Sequence, residues 1–407
     1  MSASALAMAL GMVIGLASAQ LGAPLNLHVV ASGHGPQPSI TCPSSAVAVA
    51  TTADLQAAVT ARPAGTTFCL KAGVHAITSP TTPKTGDVFI GEYGAILDGS
   101  GWVTTDANAA AFMAQNADVD DVTIRNLVIR KMPQQGIHAF KDHSDRWTLE
   151  NNEIANNKIG VQWPSGAIVR GNYIHHNVGV VDAGDPAARG GGYGGYLSAN
   201  VLVEDNEIAF NGQEQKVLSA SGITFRNNFV HHNLADGIWY DGDAGGALIE
   251  GNRVEDNARN GIFYEASSGP ATIRGNTVRR QGDTGVFISN SRNADVGGNT
   301  IEDNFRAVTY FVDCNRVVVE GYELSDTSAH DNTIRVGSQA GAFATGLVWV
   351  GCSSTQLAVY LNGAKNLTFT RNAYDVPTVA GAWWVWGGLK TWAQWQAVGH
   401  DATGSVF

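Results

Sequence analysis

Short runs of alternating apolar and polar residues recur along the middle of the chain, separated by Gly and Asn. Runs such as "ALIEGN", "RVEDN" and "GIFYEAS" have the period of two that is typical of short β-strands. Eight segments of similar pattern carry an Asn at their second position: Asn152, Asn172, Asn206, Asn228, Asn252, Asn276, Asn299 and Asn332. Their spacings of 20, 34, 22, 24, 24, 23 and 33 residues indicate a repeat of about 22–24 residues with two insertions.

A repeat of this length has room for three short strands and their corners. We therefore expect an all-β, single-domain, right-handed parallel β-helix over residues 86–375, because the spacing leaves no place for the helices of helical or leucine-rich arrays. The repeated Asn has a structural explanation, since Asn tolerates left-handed backbone and its amide can bond to the equivalent Asn of the next coil. We predict a ladder of stacked Asn side chains inside one bend.

The N-terminal part of the chain has two features of its own. Residues 1–19 contain an apolar run that ends in small residues, which is typical of a secretory signal peptide, although the usual basic start is missing. An uncleaved apolar N-terminus is the alternative. Residues 20–85 include "TTADLQAAVTA" (51–61), which places Leu55 and Val59 on one face of a short helix. We expect this helix to cover the strand edges at the open end of the array.

The C-terminal segment, residues 376–407, is rich in Trp. Trp392 and Trp395 lie three residues apart on a predicted helix. We expect the segment to cap the last coil, because a solenoid needs a cover at each end. A Trp-rich platform for carbohydrate is the alternative explanation.

Composition narrows the classes of function. Hydrophobic residues make up 44% of the chain, which excludes a disordered protein, and 48 Gly suit many tight corners. The net charge of −11 argues against a nucleic-acid binder, which needs a basic face. No apolar run beyond the first twenty residues is long enough to span a membrane. We expect a secreted or periplasmic monomer whose partner is neither nucleic acid nor a membrane.

Four Cys residues suit an exported protein with two disulfides. We predict the pairs Cys42–Cys69 and Cys314–Cys352, because each pair would bracket one end of the repeat array. No CxxC motif or cluster of His and Cys suggests a zinc site.

The stretch 216–278, together with "GTTFCLKAGVHAI" (65–77) and "WAQWQAVGHDATGS" (392–405), resembles secreted repeat proteins of the pectin-lyase-like right-handed parallel β-helix superfamily. The resemblance covers nearly all of the chain after the predicted signal peptide. It implies the fold, and it implies less about activity, because this fold supports lyases, hydrolases, epimerases and tailspike-like binders.

Two neighbouring repeats end in a carboxylate. "GIWYDGDAGG" (237–246) and "GIFYEASSGP" (261–270) match in frame and place Asp241 and Glu265 at the same position. Side chains alternate along a strand, and equivalent residues of adjacent coils stack about 4.8 Å apart. Both acids are therefore predicted to face solvent on one sheet. The outward side chains beside them are predicted to be aromatic: Trp239, Phe263 and Phe287.

A pair of acids beside aromatic side chains suits a sugar-processing site. Carboxyl groups about 5–5.5 Å apart are expected in a retaining glycosidase, and like charge at that distance raises one of the two pKa values. The arrangement is similar to that of β-helical glycoside hydrolases such as the β-xylosidases of this fold. That resemblance implies Asp241 as nucleophile and Glu265 as acid/base. The alternative is that Asp241 caps a turn and Glu265 is an ordinary surface residue.

Further candidates lie in neighbouring repeats. Lys216 precedes Asp241 by 25 residues, and it would hold a substrate oxygen, stabilise ionised Asp241 or act as the base of a lyase; a surface Lys is the alternative. The Gly-rich stretch 182–200 is predicted to be a flexible loop. Three of its side chains would fold over a bound glycan: Arg189, Tyr193 and Tyr196.

Two more sets of residues complete the predicted site. His138 and Gln162 are expected to extend the column of Trp239 and to touch substrate. Asp243 is a candidate substrate ligand, and with Asp182 or Asp185 it offers a weak calcium site, since calcium takes several oxygen ligands. We expect no required cofactor, with calcium as the one alternative.

Three functions fit the sequence. The first is a secreted glycoside hydrolase that cleaves a polysaccharide or oligosaccharide by a two-carboxylate, retaining-type mechanism. The second is a polysaccharide lyase or uronate epimerase, which needs cations or calcium to neutralise the uronate. The third is a non-catalytic glycan-binding β-helix, which would use the aromatic side chains without needing Asp241 or Glu265.

Overall fold

The computed structural model describes residues 33–114, 118–139, 144–179, 190–213, 215–242 and 245–407. Residues 34–407 form one compact unit. Its chain passes through three long sheets, A, B and C, of 13, 13 and 12 strands. Within each sheet, a strand pairs in parallel with its counterparts on the preceding and the following coil. The structure therefore confirms the predicted single right-handed parallel β-helix.

The strands are numbered in chain order. Sheet A contains β1 Val47–Val49, β2 Thr67–Leu70, β4 Val88–Gly91, β7 Thr123–Arg125, β10 Thr148–Glu150, β13 Ile168–Arg170, β16 Leu202–Glu204, β19 Thr224–Arg226, β22 Ala247–Glu250, β25 Ala271–Arg274, β28 Ala294–Gly297, β31 Thr327–His330 and β34 Leu367–Thr370. Sheet B contains β3 Gly73–Ala76, β5 Ala95–Asp98, β8 Val128–Arg130, β11 Glu153–Ala155, β14 Tyr173–His175, β17 Glu207–Ala209, β20 Phe229–His231, β23 Arg253–Glu255, β26 Thr277–Arg279, β29 Thr300–Asn304, β32 Thr333–Val336, β35 Ala373–Asp375 and β38 Ser405–Val406. Sheet C contains β6 Phe112–Ala114, β9 Gln135–Ala139, β12 Ile159–Gln162, β15 Gly191–Tyr196, β18 Lys216–Leu218, β21 Ile238–Asp241, β24 Ile262–Glu265, β27 Thr284–Ser289, β30 Arg306–Asp313, β33 Phe343–Val350, β36 Ala382–Val385 and β37 Leu389–Thr391, the last pairing antiparallel to β36.

In the described part of the chain, four short helices accompany the strands: α1 Leu55–Thr60, α2 Cys314–Glu320, α3 Ser354–Leu361 and α4 Trp392–Ala397. Helix α1 confirms the predicted N-terminal helix, because Asp54 caps it by accepting from the Ala57 amide at 2.8 Å and its Leu55 and Val59 are buried. Helices α2 and α3 were not predicted. Among the described residues, no helix has the length and apolar character that a membrane span requires.

The Asn ladder is present in the bend between sheets A and B. The Nδ2 group of Asn228, for example, donates to Oδ1 of Asn252 at 2.9 Å and to the carbonyl of Val203 at 2.8 Å. Its own Oδ1 accepts from the backbone amide and the side chain of Asn206. The ladder therefore satisfies backbone groups at a corner where the strand hydrogen bonds end.

One part of the explanation for this Asn was wrong. The residue with left-handed backbone is the one before each ladder Asn, as at Asn151, Asp205 and Asn227, with φ between 51° and 55°. That position holds Gly, Asn or Asp in all eight repeats because these residues adopt positive φ most readily. The ladder Asn is selected for its amide alone.

A second ladder follows five residues after the first and was not predicted. It stacks one amide from each coil: Asn157, Asn177, Asn211, Asn233, Asn257 and Gln281. The side chains are buried, and each also donates to a backbone carbonyl, as Asn233 does to Ile208 at 3.1 Å. Two amide ladders on either side of sheet B hold the coils in one register.

Both predicted disulfides are present. Cys42 bonds to Cys69, and Cys314 bonds to Cys352. The second bond joins the start of helix α2 to the loop before helix α3. It therefore anchors a segment that lies beside the acid pair described below.

The C-terminal Trp residues are packed against the last coils. Trp384, Trp386 and Trp395 are buried, and the Trp395 indole donates to Oδ2 of Asp401 at 3.0 Å. Asp401 in turn ends the first amide ladder by accepting from Asn372. Three buried indoles do not form a carbohydrate platform, so the capping role is the better explanation.

His400 makes the cap sensitive to acid. Its ring lies 4.3 Å from that of Trp386 and 4.4 Å from that of Trp395, and among the described residues its Nε2 has no hydrogen-bond partner. Burial lowers the pKa of His400 from 6.5 to about 4. The unfolded chain therefore binds this proton more readily, and the protein should lose stability as the pH falls from about 6.5 towards 4.

We expect His400→Phe to reduce this loss of stability in acid. The measurement is the melting temperature of the wild type and the variant at pH 7.5 and at pH 4.5. The difference in melting temperature between the two proteins at pH 7.5 reports the change in packing. Any additional difference between them at pH 4.5 reports proton binding by His400. An equal fall in melting temperature for both proteins would contradict the assignment.

Candidate active site

The acid pair lies on the outer face of sheet C. Strands β21 and β24 pair in parallel with Asp241 opposite Glu265 and Trp239 opposite Phe263. The alternate side chains of these strands, Ile238, Tyr240, Ile262 and Tyr264, are fully buried in the core. Since side chains alternate across a strand, burial of these four turns the acids and aromatics outward. The predicted alignment is confirmed.

Lys216 neutralises Asp241. Its Nζ lies 2.9 Å from Oδ2 of Asp241 and 4.6 Å from the centre of the Trp239 ring. The pairing places Leu218 opposite Asp241, so Lys216 falls in the column of Trp239. Lys216 therefore faces the site, and its role there stays a prediction.

Glu265 has a different environment. Its Oε2 accepts from the Trp239 indole at 3.0 Å, and its Oε1 accepts from Arg316 at 2.5 Å. Burial raises the pKa of Glu265, and the negative charge of Asp241 adds to the rise, while Arg316 and Trp239 oppose it. The net direction is upward. The two acids therefore differ, because Asp241 is neutralised by a Lys and Glu265 is partly desolvated.

Arg316 is a site residue that the sequence analysis missed. It lies on helix α2, within the 33-residue interval between two ladder Asn residues, and it also pairs with Glu320 at 2.8 Å. The Nδ2 of Asn290 donates to the carbonyls on either side of the helix, those of Asp313 and Tyr322. Together with the Cys314–Cys352 bond, these contacts hold α2 against the outer face of sheet C. In the sequence, the long interval and the Cys within it are the two features that could have indicated a site residue in this segment.

The aromatic column is continuous but only partly exposed. The rings of Trp239 and Phe263 stack with centroids 5.4 Å apart, and Phe263 and Phe287 follow at 5.0 Å. The next position of the column is Thr309, and the ring of Phe311, which lies opposite Ser289, contacts Phe287 at 5.5 Å from the neighbouring column. Phe263 is only 5% exposed. Phe263 lies in the predicted outward column but is largely covered by its neighbours, while Trp239 and Phe287 keep partly exposed faces.

A cavity of about 650 Å³ opens on the N-terminal side of Trp239. It lies where the outward column passes from Gln162 through Gly194 to Lys216. Since Gly194 has no side chain, the column has a gap at this coil. The polar and aromatic side chains of its wall are Gln162, Tyr196, Gln213, Lys216, Trp239 and Arg259.

The Gly-rich stretch corrects one prediction. Gly191–Tyr196 is a strand of sheet C and not a loop, because neighbouring strands supply its hydrogen bonds whatever its side chains are. Tyr193 is fully buried, stacks on Trp163 at 5.4 Å, and donates from its hydroxyl to the Gly237 carbonyl. It therefore cannot close over a glycan. Tyr196 is about half exposed at the rim of the cavity, where a substrate contact stays a prediction.

His138 and Gln162 extend the column of Trp239, as predicted. His138 is 5% exposed, and burial lowers its pKa from 6.5 to about 4, so it is neutral at ordinary pH. A role for His138 in contacting substrate stays a prediction.

Four predicted residues lie outside the part of the chain that the structure describes: Arg189, Asp182, Asp185 and Asp243. Their roles as a lid residue and as calcium ligands stay predictions. Within the described residues, no group of three or more His, Cys, Asp or Glu side chains is arranged to hold a metal ion.

The model of the family described as right handed beta helix region matches residues 109–278 and 217–388. No curated protein sequence matches the chain. Similar solved structures include the A-module of mannuronan C-5 epimerase AlgE6 of Azotobacter vinelandii, at 15% identity and a TM-score of 0.62, covering 87% of this chain and 93% of that one. The A-module of AlgE4 of the same organism matches at 16% identity and a TM-score of 0.51, with coverages of 72% and 88%. A tailspike protein of E. coli bacteriophage HK620, in complex with a pentasaccharide, matches at 10% identity and a TM-score of 0.48, with coverages of 85% and 71%. At these identities the likeness concerns the fold.

Proposed function

Because the chain belongs to the right handed beta helix region family, which defines only its fold, we propose a function from the site itself: a secreted glycoside hydrolase that cleaves a glycan with retention of configuration. The observation that carries the proposal is the in-register pair Asp241 and Glu265, held in two different environments on adjacent strands. Adjacent parallel strands lie about 4.8 Å apart, close to the roughly 5–5.5 Å carboxyl separation of retaining enzymes.

We assign the two roles from the two environments. Asp241, with Lys216 beside it, is the nucleophile that attacks the anomeric carbon. Glu265, whose pKa is raised, donates a proton to the glycosidic oxygen as the bond to the leaving sugar breaks. The leaving sugar departs as an alcohol. Glu265 then takes a proton from water, whose oxygen attacks the anomeric carbon and releases Asp241 as a carboxylate.

The hydrogen bonds around Glu265 set a condition on this cycle. Both of its oxygens accept hydrogen bonds from neighbours, one from Trp239 and one from Arg316. A protonated carboxyl oxygen keeps acceptor capacity, but it accepts a hydrogen bond more weakly than a carboxylate oxygen does. Protonation of Glu265 therefore weakens the contact with Trp239 or with Arg316, and the new O–H group has to point away from that donor, towards a glycosidic oxygen.

A uronate lyase or epimerase is the second candidate, and the cations near the acids favour it. Lys216 and Arg316 touch the acid pair, and Arg259 borders the adjacent cavity. Such groups would neutralise a uronate carboxylate, and Lys216 would be the base that removes the proton at C5. The mannuronan epimerases that share the fold act on such a polymer, although the likeness by itself carries no activity.

The proposal is tested with a broad glycan panel digested by the purified protein, with and without EDTA. Reducing ends and the absorbance of unsaturated uronates are measured in parallel. A hydrolase produces reducing ends without that absorbance, and the activity disappears in Asp241→Asn and Glu265→Gln. Glu302→Gln, an acid on sheet B, is the matched control and should keep full activity. Absorbance that EDTA abolishes would instead support a calcium-dependent lyase, and binding without any product would support a glycan-binding protein.

Arg316→Gln should move the alkaline limb of the pH profile to higher pH. Arg316 lowers the pKa of Glu265, so its removal raises that pKa further. Protonated Glu265 then persists to higher pH, and an acid catalyst keeps its activity there. The measurement is kcat against pH for the wild type and the variant.

The matched control for this experiment is Arg292→Gln. Arg292 donates to the Gly321 carbonyl at the end of α2 but does not contact Glu265. Its replacement should leave the profile in place. A shift of the acid limb to higher pH in Arg316→Gln would contradict the assigned role, because it would mean that ionised Glu265 is the working form.

A further inference from the structure

The cavity beside Trp239 is cationic in a protein of negative net charge. The chain carries −11, yet Lys216 and Arg259 border the cavity, and no Asp or Glu is among its described wall residues. Arg259 is 59% exposed, and the nearest carboxylate that it faces, that of Asp236, is fully buried at 3.6 Å. Much of the guanidinium is thus open to a ligand.

The cavity also has polar and apolar groups suited to a sugar ring. Its volume of about 650 Å³ falls within the roughly 300–1,000 Å³ typical of ligand sites. Gln162 borders this space, and among the described residues its Oε1 is buried without a hydrogen-bond partner, so a rotation of the amide would offer this oxygen to a ligand. An amide of this kind is ready to bond a hydroxyl group. The partly exposed Trp239 ring offers a face for the apolar side of the sugar.

The geometry of the gap at Gly194 shows how the space is kept open. A Cβ built on Gly194 would lie 3.3 Å from Cγ of Gln162. The residue is in an ordinary strand with Gln162 opposite it on one side and Lys216 on the other. Gly194 does not have a positive φ, so a larger side chain needs no change of backbone conformation; it would displace Gln162 slightly and occupy the space between these two residues.

We propose that this cavity binds an acidic sugar unit, one that carries a carboxylate or a sulfate, next to the unit whose bond is cleaved. The inference rests on the proposed function, because it takes a glycan as the substrate. Lys216 and Arg259 bind the acidic group, Gln162 bonds a hydroxyl, and Trp239 supports the ring. The substrate is thus a glycan that is acidic at this position.

The position of Lys216 makes binding of an acidic ligand depend on Asp241. Its ammonium group is shared between Asp241 and the cavity. An acidic ligand therefore competes with Asp241 for this cation. Asp241→Asn removes the competitor and one negative charge, so it should tighten binding of acidic ligands about ten-fold while it abolishes cleavage.

The test is an array of defined oligosaccharides in which each acidic member has an uncharged counterpart, a methyl ester for each carboxylate and a desulfated form for each sulfate. Acidic members should bind at least about ten-fold more tightly than their counterparts, and the two kinds of acid distinguish carboxylate from sulfate as the source. Titration calorimetry with the best ligand then compares variants.

Three variants make the result specific to the cavity. Arg259→Gln should weaken binding of the acidic ligand about ten-fold and leave its uncharged counterpart unchanged. Gly194→Val should abolish binding of both while keeping the melting temperature of the wild type to within a few degrees. Arg253→Gln, on sheet B, is the control and should bind as the wild type does.

The outcomes separate the two proposals. Equal binding of acidic and uncharged members, or no effect of Arg259→Gln, would overturn the cavity assignment even if cleavage depends on Asp241 and Glu265. Selective binding of acidic members that tightens in Asp241→Asn would support the cavity assignment even if the wild type cleaves nothing. In that second case the hydrolase proposal would fail alone.

Discussion

Glu265→Gln is expected to lower kcat about 10²–10⁴-fold on a natural glycan, because the amide cannot protonate the leaving oxygen. The structure supplies the reason to expect acid catalysis from this residue: burial and the neighbouring Asp241 raise the pKa of Glu265. A substrate with an activated aryl leaving group needs no proton, so the variant should recover most of its first-step rate on that substrate. The measurement is kcat/KM on both substrates.

Asp241→Asn provides the matched comparison for that experiment. It removes the nucleophile, so an activated leaving group should rescue nothing. Ser289→Ala, at the next position of the same column, should leave both substrates unaffected. If the activated substrate rescues Asp241→Asn and not Glu265→Gln, the two roles are exchanged. If it rescues neither variant, Glu265 does not act as the acid.

Asn228→Ala is expected to lower the free energy of unfolding by about 3–6 kcal/mol, the largest stability effect that the structure predicts. The Asn228 side chain is buried and makes four hydrogen bonds with Val203, Asn206 and Asn252. Its removal leaves the backbone amide of Asn206 and the carbonyl of Val203 buried without their partners. Each such group costs about 1–3 kcal/mol, and the cavity adds to this.

The neighbouring residue is the control for the ladder. Asn227 has left-handed backbone with φ of 55°, and the equivalent position is Gly in several other repeats. Asn227→Gly should therefore change stability by less than about 1 kcal/mol. Urea unfolding followed by circular dichroism compares the variants with the wild type. A midpoint for Asn228→Ala equal to that of Asn227→Gly would contradict the role of the ladder.

The sequence predicted most of the fold because the repeat is local. A period of two places Asp241 and Glu265 on one face, and a period of about 24 brings them into adjacent strands. Both are properties of a few consecutive residues. The same local pattern led to one misplacement, since the left-handed corner belongs to the residue before each ladder Asn.

What the sequence did not predict depends on contacts that interrupt the repeat. Arg316 reaches Glu265 from an insertion that follows no period, so the length of the interval and the Cys within it are the features that mark it in the sequence. Gly191–Tyr196 has the composition of a loop, yet it is a strand because the coils before and after it provide its hydrogen bonds. The cavity beside it exists because Gly194 omits a side chain from a column that is otherwise filled.

The site as observed consists of two ion pairs side by side. Lys216 pairs with Asp241 and Arg316 pairs with Glu265, and the Trp239 indole donates to Glu265. This balance explains how two carboxylates can share one face of a sheet. It also leaves one acid paired with a flexible Lys and the other partly desolvated, which is the asymmetry that acid and nucleophile roles require.

The most direct test of the account is proton NMR of the reaction in D₂O, with the glycan found in the panel and recorded during the first minutes of turnover. We predict a new anomeric proton in the same configuration as in the substrate, with the C5 proton signal of full intensity. Inverted configuration would contradict Asp241 as nucleophile. A vinylic proton would identify a lyase, and loss of the C5 signal without cleavage would identify an epimerase; either result would contradict the hydrolase.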